Sequence, residues 1–218
     1  GENQMERICC IFGAGEYEGN EFTRVPDGAY IIAADAGYAR LCASGVKPDL
    51  VVGDFDSLDA PPTGIPVVRH PVEKDDTDML LAVREGFLRG FSHFYLFGGM
   101  GGRLDHTLAN LQTLAFIAER GGIGYLIGKG FTAAAVRNGT LCFPAGMTGT
   151  ISVFALGEPA RGVYLTGLYY PLTDATLTPV WPLGVSNAFT GKAAAVAVRD
   201  GTLTVLWEGG ALPSASAD

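Results

Sequence analysis

The feature that most constrains the fold is a change of pattern near residue 129, from strands alternating with helices to short strands separated by turns. Before it, short apolar runs predict strands at 7–13, 29–35, 50–53, 66–69, 94–98 and 124–127, and all but the run at 66–69 end at or next to glycine or aspartate. Apolar residues three or four positions apart predict helices at 37–44, 77–89 and 105–119. Near-continuous apolar strands between helices predict a parallel sheet covered on both faces.

After residue 129 the chain shows frequent turn signals and no helical periodicity. Asn138-Gly139 and Asp200-Gly201 each divide an apolar run, which predicts two tight hairpins. Further strands are expected at 150–155 and 162–166, and the small, polar tail from Ala211 is expected to be frayed. The fold class is therefore predicted as α/β, with an N-terminal parallel-sheet domain over residues 1–129 followed by an all-β sandwich domain over residues 130–218.

The amino-acid composition indicates which binding partners and which cellular compartment to expect. A net charge of −8 argues against nucleic acid or an anionic membrane as the main partner, and 17% charged residues exclude a disordered polyelectrolyte. The four cysteines form no CxxC pair, which favours buried free thiols in a reducing cytoplasm. No apolar run approaches the ~20 residues of a membrane span. We therefore expect a cytoplasmic protein without a targeting or membrane segment.

Acidic residues are concentrated where predicted strands end or predicted helices begin. They are Asp35, Asp54, Asp56, Asp75, Asp76, Asp78 and Asp105. Because the carboxyl ends of parallel strands share one edge of a sheet, these segments are expected to converge on one crevice. Two carboxylates about 4 Å apart repel by ~4 kcal/mol at an effective dielectric constant of 20, so a cation is expected among them. Hard oxygen ligands favour Mg²⁺.

A glycine-rich segment, Gly-Gly-Met-Gly-Gly-Arg at 98–103, lies between a predicted strand and a predicted helix. Such a turn presents backbone N–H groups to an anion, and Arg103 adds a rigid fork of donors. Together with the carboxylates, this turn indicates a nucleoside triphosphate site. Gly13-x-Gly15 is a weak signal by comparison, because it lacks the third glycine of a dinucleotide-binding fingerprint.

Structural roles compete with these interpretations. Asp75, Asp76 or Asp105 is also suited to cap the helix that follows it, and Asp78 is favoured in a first helical turn. The histidines have no second His or Cys at ligand spacing, so no zinc site is expected. His106 is compatible with a nucleotide contact or with a solvent-facing position at a helix start.

Five motifs, taken in order, resemble those of the thiamine pyrophosphokinase family. They are ADAG at 34–37, GDFDS at 53–57, KDDTD at 74–78, GGRLDH at 101–106 and Ser186-Asn187. The resemblance covers residues 7–208 and includes the order of the two domains. It implies an α/β catalytic domain joined to a β-sandwich, in a homodimer with substrate sites between subunits. The implied reaction transfers a pyrophosphoryl group from ATP to the hydroxyethyl group of thiamine and releases AMP.

The resemblance also implies roles for individual residues. The catalytic residues would be Asp54, Asp56, Asp78 and Arg103, of which the three aspartates would hold Mg²⁺. The nucleotide would be bound by Asp35, Gly37, Lys74, Thr77, Gly102, Arg103 and Asp105. Thiamine would be bound by Tyr170, Ser186 and Asn187. This chain has Ala36 where the family often has glycine, and Tyr170 stands where some relatives have tryptophan.

Three alternative functions remain compatible with the residues themselves. The first is pyrophosphoryl transfer to a hydroxymethyl pterin, and the second is a metal-dependent phosphatase that uses Asp54 as nucleophile. The third is a non-catalytic sensor of a nucleotide or vitamin. Turnover of the pterin would identify the first function, and orthophosphate release without an acceptor would identify the second. Ligand binding without AMP formation would identify the third.

Overall fold

The computed structural model describes residues 7–53, 62–70 and 76–217. Its contacts divide the chain into two compact units. The first unit holds the chain up to Thr113 together with Leu126–Lys129, and the second holds Leu114–Tyr125 and the chain from Gly130 onwards. The domain boundary between residues 129 and 130 stays a prediction. The fold is mixed α/β, as predicted.

The strands of the first unit form a parallel sheet. They are β1 (Ile8–Phe12), β2 (Tyr30–Ala34), β3 (Leu50–Gly53), β4 (Val67–Arg69) and β5 (His93–Phe97). Their order is β5-β1-β2-β3-β4, and each pair is parallel. Ile11, on the central strand, lies opposite Ile32 on one side and Leu96 on the other. The predicted parallel sheet is therefore confirmed for these strands.

The core of the first unit explains why its strands are almost continuously apolar. The four residues 9–12 of β1 are fully buried, and side chains alternate across a strand, so both faces of β1 are covered. The ring of Phe12 stacks on those of Phe22 and Phe97, with centroids 5.3 and 4.9 Å apart. Burying one such side chain contributes roughly 1.5–3 kcal/mol. The same packing brings the carboxyl ends of β1 and β5 together.

Three α-helices lie close to the predicted positions. They are α1 (Gly37–Ala43), α2 (Asp78–Leu88) and α3 (Leu104–Glu119), and a 3₁₀ turn covers Glu21–Arg24. One face of α2 is buried through Met79, Leu81, Ala82 and Val83. A Cβ on Gly86 would lie 2.4 Å from the ring of Phe94, so this glycine allows α2 to approach the sheet closely. None of the described helices is long and apolar enough to cross a membrane.

From Gly130 onwards the described chain consists of strands and their connections. The strands are β7 (Phe131–Phe143), β8 (Thr150–Phe154), β9 (Ala160–Thr166), β10 (Leu172–Leu177), β11 (Asn187–Ala188), β12 (Ala194–Glu208) and β13 (Ser214–Ala217); β6 (Ile123–Ile127) precedes them. The pairs formed among β7 to β13 are antiparallel. Trp207 is fully buried at the centre of this unit, edge-on to the rings of Phe143 and Tyr125.

The two predicted hairpins are wrong. β7 runs continuously through Asn138-Gly139, β12 runs continuously through Asp200-Gly201, and the two long strands pair with each other on both sides of these dipeptides. The pairing register shifts there, and Asn138 Oδ1 accepts a hydrogen bond from the backbone N–H of Gly201 at 2.9 Å. The positive φ angles of Asn138 (43°) and Gly201 (125°) therefore form a bulge rather than a turn.

β12 pairs with β7 along most of its length, and its neighbour on the other side changes at this bulge. Its amino-terminal half pairs with β9, and its carboxy-terminal half pairs with β8. Strands that change partners at a bulge are typical of the corners between packed sheets. The predicted fraying of the tail is also wrong, because β13 pairs with residues 139–142 of β7.

Candidate active site

A cavity of about 570 Å³ lies in the first unit, where the loops after β1 and β5 meet the amino-terminal end of α2. Its wall combines glycines with a few charged and polar side chains. The lining residues are Gly13, Ala14, Gly15, Glu16, Ala34, Arg40, Asp76, Thr77, Asp78, Met79, Gly98, Gly99, Gly101, Gly102, Arg103, His106 and Asn110. Four predicted site residues are therefore brought together here: Thr77, Asp78, Gly102 and Arg103.

The loops after β1 and β5 are joined through their backbones. Gly13 N donates to Phe97 O at 2.9 Å, and Gly15 N donates to Gly98 O at 2.7 Å. A Cβ on Gly15 would lie 2.3 Å from that carbonyl oxygen, so no larger residue fits without a shift of the backbone. The Gly13-x-Gly15 pattern, which is weak as a sequence signal, thus lets the two loops close one side of the cavity.

The start of α2 supplies a capping hydroxyl and a carboxylate. Thr77 is the capping residue, and its Oγ1 accepts a hydrogen bond from Leu80 N at 3.2 Å. Asp76 instead pairs with Arg84 at 2.8 Å, so the predicted capping by Asp76 is wrong, and Asp75 lies outside the described residues. Asp78 occupies the first turn, where the helix dipole favours a negative charge.

Arg103 and Asp105 form a bidentate pair at the start of α3. Nε of Arg103 donates to Oδ1 of Asp105 at 3.2 Å, and Nη2 donates to Oδ2 at 2.6 Å. The hydrogen bonds from Arg103 lower the pKa of Asp105, and the same pairing raises the pKa of Arg103. Asp105 lies inside the first turn of α3 and not at its capping position. One edge of the Arg103 guanidinium is therefore engaged by a carboxylate.

Asn110 holds the glycine turn against α3, a role that the sequence patterns did not predict. Its side chain is buried, and Nδ2 donates to Gly99 O at 2.8 Å. A Cβ on Gly99 would lie 3.0 Å from this amide nitrogen, so the turn and the helix are in close contact. The available signal was an amide within an otherwise apolar stretch of the predicted helix.

Besides Asp105, two predicted nucleotide residues lie outside the cavity lining, Asp35 and Gly37. Asp35 has a φ of 46° just beyond β2, and its backbone N–H donates to Val52 O at 2.8 Å. A Cβ on Gly37 would lie 1.9 Å from Phe12 O, which gives this glycine a packing role between α1 and β1. Both residues stay predictions as nucleotide ligands.

Three other predicted residues, Asp54, Asp56 and Lys74, fall outside the described residues. Within the described part of the chain, no three potential metal ligands cluster. Asp78 is the predicted metal ligand that the structure describes, and it lines the cavity. Asp54 directly follows Gly53, whose Cα lies beside Asp35, since a Cβ there would be 3.3 Å from Asp35 Oδ1.

The residues predicted to bind thiamine lie in the second unit, where the side chain of Asn187 holds neighbouring backbone groups in place. Its side chain is 3% exposed. Oδ1 accepts hydrogen bonds from the backbone N–H groups of Tyr170 and Ala188, both at 2.9 Å, and Nδ2 donates to Tyr170 O at 2.7 Å. The side chain of Asn187 therefore pairs with the backbone of Tyr170 as a neighbouring strand would.

This pairing leaves two aromatic rings at the surface. Tyr169 and Tyr170 are 67% and 62% exposed, and their rings meet edge-on at 4.8 Å. Ser186, exposed and with a φ of 60°, donates its backbone N–H to Ser152 Oγ at 3.0 Å. Within this unit the structure brings Tyr170 and Asn187 together, with Ser186 next to Asn187 in the chain.

Comparisons with known proteins identify one enzyme family. The model of the thiamin pyrophosphokinase catalytic domain matches residues 25–122, and the model of the thiamin pyrophosphokinase vitamin B1 binding domain matches residues 140–203. The thiamine pyrophosphokinase of Bacillus subtilis is 29% identical over 174 residues, covering 72% of this chain and 76% of that protein.

Solved structures show the same fold. A crystal structure of thiamine pyrophosphokinase from Bacillus subtilis has a TM-score of 0.83 at 23% identity and covers 94% of this chain and 100% of that chain. One from Geobacillus thermodenitrificans has a TM-score of 0.79 at 24% identity and covers 94% and 98%. Because both domain models name one enzyme and together match most of the sequence, the chain belongs to the thiamine pyrophosphokinase family of enzymes.

Proposed function

We propose that this enzyme transfers the pyrophosphoryl group of ATP to the hydroxyethyl group of thiamine, giving thiamine diphosphate and AMP. The observation that carries the proposal is the cavity of the first unit, where glycine backbone, two arginines and carboxylates share one wall. This combination suits a polyphosphate with a bound cation. The hydroxymethyl pterin, phosphatase and sensor alternatives have no comparable support, because both matching family models are of thiamin pyrophosphokinase.

The nucleotide would bind through the edges of this cavity. Thr77, at the amino-terminal end of α2, and Gly102 would approach the phosphates, and Lys74 would add a positive charge. Arg103 would offer the edge of its guanidinium that Asp105 leaves free. Asp35 and Gly37 would bind the nucleotide from the carboxyl end of β2.

The donor set fits Mg²⁺, because Asp54, Asp56 and Asp78 offer carboxylate oxygens, the ligands that this ion prefers. These three residues would hold the ion, which would neutralise charge on the phosphates during transfer. Asp78 is well placed for this role, because it lines the cavity at the positive end of the α2 dipole.

The chemical step forms one bond and breaks one. The hydroxyl oxygen of thiamine attacks the β-phosphorus of ATP, the bond from this phosphorus to the α,β-bridging oxygen breaks, and AMP leaves with that electron pair. The hydroxyl proton passes to a carboxylate of the site or to solvent. Arg103 and the backbone N–H groups of the glycine turn stabilise the charge on the transferred group, so catalysis consists mainly of positioning and electrostatics.

Thiamine would bind to the β region, which we propose forms the β-sandwich over residues 130–218. The exposed ring of Tyr170 is suited to contact an aromatic ligand. Ser186 would contribute a polar contact, and Asn187 would hold the backbone of Tyr170 in place. We further propose a cytoplasmic homodimer in which the substrate sites lie between subunits.

The test of the reaction is incubation with ATP, Mg²⁺ and thiamine, with chromatography of the products. AMP and thiamine diphosphate formed in equal amounts support the proposal. A hydroxymethyl pterin replaces thiamine in a parallel reaction, and a third reaction omits the acceptor. Turnover of the pterin, orthophosphate release without an acceptor, or ligand binding without AMP would each contradict it.

The dimer is tested by subunit exchange between two variants of impaired activity, assayed at a thiamine concentration that the Asn187→Ala variant does not turn over efficiently. Asp56→Asn subunits are mixed with Asn187→Ala subunits, and exchange is verified with two affinity tags. If each site is built from two chains, the mixture recovers activity that neither variant shows alone. Verified exchange without recovery would place both residues in a site built within one chain.

A further inference from the structure

A second arginine, Arg40 of α1, lines the same cavity and has no role assigned so far. The guanidinium carbon of Arg40 lies 5.2 Å from the centroid of the Tyr17 ring. Among the described residues no carboxylate pairs with Arg40, whereas Arg103 is bonded twice to Asp105. The cavity therefore holds one arginine paired with an acid and one held by an aromatic ring.

The Tyr17 ring itself is fixed from several sides. Its hydroxyl donates to Gly13 O at 2.6 Å, and its ring lies parallel to that of Phe12 with centroids 6.3 Å apart. A Cβ on Gly98 would lie 2.4 Å from the hydroxyl oxygen, so the ring also contacts the turn after β5. Burial raises the pKa of Tyr17, which keeps the hydroxyl protonated as a donor.

The way in which an arginine is held decides what it can still bind. A guanidinium over an aromatic face is attracted through its own face, so its in-plane N–H groups remain available for an anion. A guanidinium paired with a carboxylate uses those same in-plane donors. Arg40 therefore offers the cavity a complete donor fork, and its partner Tyr17 carries no charge that would compete with a phosphate.

We propose that Arg40 binds a phosphate group of the nucleotide in this cavity and that Tyr17 positions it. This inference rests on the proposed function and adds a residue pair to it. The ring of Tyr17 would hold the guanidinium beside the glycine loops, because it lies against Arg40 and contacts Gly98. Arg40 is a phosphate-binding residue in this proposal, and Tyr17 is a positioning residue.

The first test replaces Arg40 by glutamine. We expect Arg40→Gln to raise the KM for ATP by about ten- to a hundredfold, the scale of losing a hydrogen bond to a charged group, with the KM for thiamine within about twofold. The matched control is Arg120→Gln. Arg120 also lies over an aromatic ring, that of Phe116 at 3.4 Å, but it does not line the cavity. The control should leave both KM values unchanged.

The positioning role is tested on Tyr17. Tyr17→Phe keeps the ring and should leave the KM for ATP within about twofold, whereas Tyr17→Leu removes the ring and should raise it by at least about threefold. In the double variant Arg40→Gln, Tyr17→Leu, the loss should be smaller than the product of the single losses, because both variants break one interaction. Independent effects would overturn the positioning role.

Inhibition by inorganic tripolyphosphate separates phosphate binding from adenine binding. Arg40→Gln should weaken inhibition by tripolyphosphate at least about tenfold and leave inhibition by adenosine unchanged. A KM for ATP and a tripolyphosphate inhibition constant both within twofold of the parent values would overturn the inference. The proposed function would still stand in that case, because it fails only if the parent enzyme makes no thiamine diphosphate and AMP. If Arg40→Gln unfolds, Arg40→Lys is used, and the same two constants decide.

Discussion

Polar side chains have different roles in two regions, the glycine-lined cavity of the first unit and the Tyr170–Asn187 region of the second unit. Around the cavity, charged groups such as Asp78 and Arg103 lie at the starts of helices, and the loops after β1 and β5 are joined by backbone hydrogen bonds. In the second region a buried amide, Asn187, holds a loop so that tyrosine rings remain exposed. Changes of the charged side chains in the first region should therefore affect chemistry more than stability, whereas a change of Asn187 should affect both.

The largest effect is expected for the carboxylate at the start of α2. Asp78→Asn should lower kcat by at least ~100-fold, the scale for losing one strong contribution to transition-state stabilisation. Its melting temperature should change little, because a negative charge in the first turn of a helix contributes only about 0.3–1 kcal/mol. Steady-state kinetics at saturating Mg²⁺ and thermal unfolding measure both. Asp27→Asn, an exposed acid outside the cavity, is the control, and a near-normal kcat for Asp78→Asn would remove the metal assignment.

Arg103→Lys should come next, because lysine lacks the planar fork that binds two phosphate oxygens at once. We expect kcat/KM for ATP to fall by about ten- to a hundredfold, since a hydrogen bond to a charged group contributes about 1.5–3 kcal/mol. The KM for thiamine should be nearly unchanged. Initial rates with each substrate varied in turn decide the matter, and equal losses for both substrates would assign Arg103 a structural role at the start of α3.

Substitution of one glycine in each unit should change the free energy of unfolding by different amounts. Gly15→Ala places a Cβ 2.3 Å from Gly98 O, and such overpacking costs about 1–3 kcal/mol. Gly157→Ala in the second unit meets nothing within 4 Å and should stay within about 0.5 kcal/mol of the parent. Urea unfolding of both variants measures the difference in their free energy of unfolding. Equal stability would contradict the close contact between the loops after β1 and β5.

Asn187 and Tyr170 should differ although both belong to one region. Asn187→Ala removes the three hydrogen bonds of a buried amide and leaves the partly buried backbone groups of Tyr170 without this partner, which costs about 1–3 kcal/mol. It should also raise the KM for thiamine. Tyr170→Ala should raise this KM with little change in melting temperature, because the ring is 62% exposed. Both variants should keep the KM for ATP within about twofold. A normal thiamine KM for Tyr170→Ala would exclude the ring from the acceptor site.

The smallest effect is expected for the pH dependence of the Arg103–Asp105 pair. Because the pKa of Asp105 is lowered in the folded state, the pair contributes to stability above the unfolded pKa of about 4, and this contribution is lost as the pH falls through the folded pKa. Both side chains are exposed, so the contribution is small. The difference in melting temperature between the parent and Asp105→Asn should therefore be small and constant between pH 5 and 8, and a difference that changes with pH within this range would contradict the assignment.

Sequence patterns predicted the first unit better than the second. In the first unit four of the five strands β1 to β5 are short, apolar and end at or next to glycine or aspartate, and apolar residues three or four positions apart mark α2 and α3. In the second unit Asn138-Gly139 and Asp200-Gly201 have the local conformational preference of hairpin turns, but a turn and a bulge require the same positive φ. The outcome depends on whether the flanking strands pair with each other or with distant strands, and a local pattern does not contain that information.

The sequence by itself determined which chemistry-bearing residues follow each strand, and hence that Thr77, Asp78, Gly102 and Arg103 meet at one edge of a parallel sheet. It also determined the family, through motifs spread along the whole chain. Only the tertiary structure decided how these residues are held. The hydrogen bond of Asn110 to Gly99, the ring of Tyr17 beneath Arg40 and the pairing of Asn187 with Tyr170 join residues 11 to 23 positions apart. Contacts of this kind form when elements pack, because neither partner shows in its own segment which group will satisfy it.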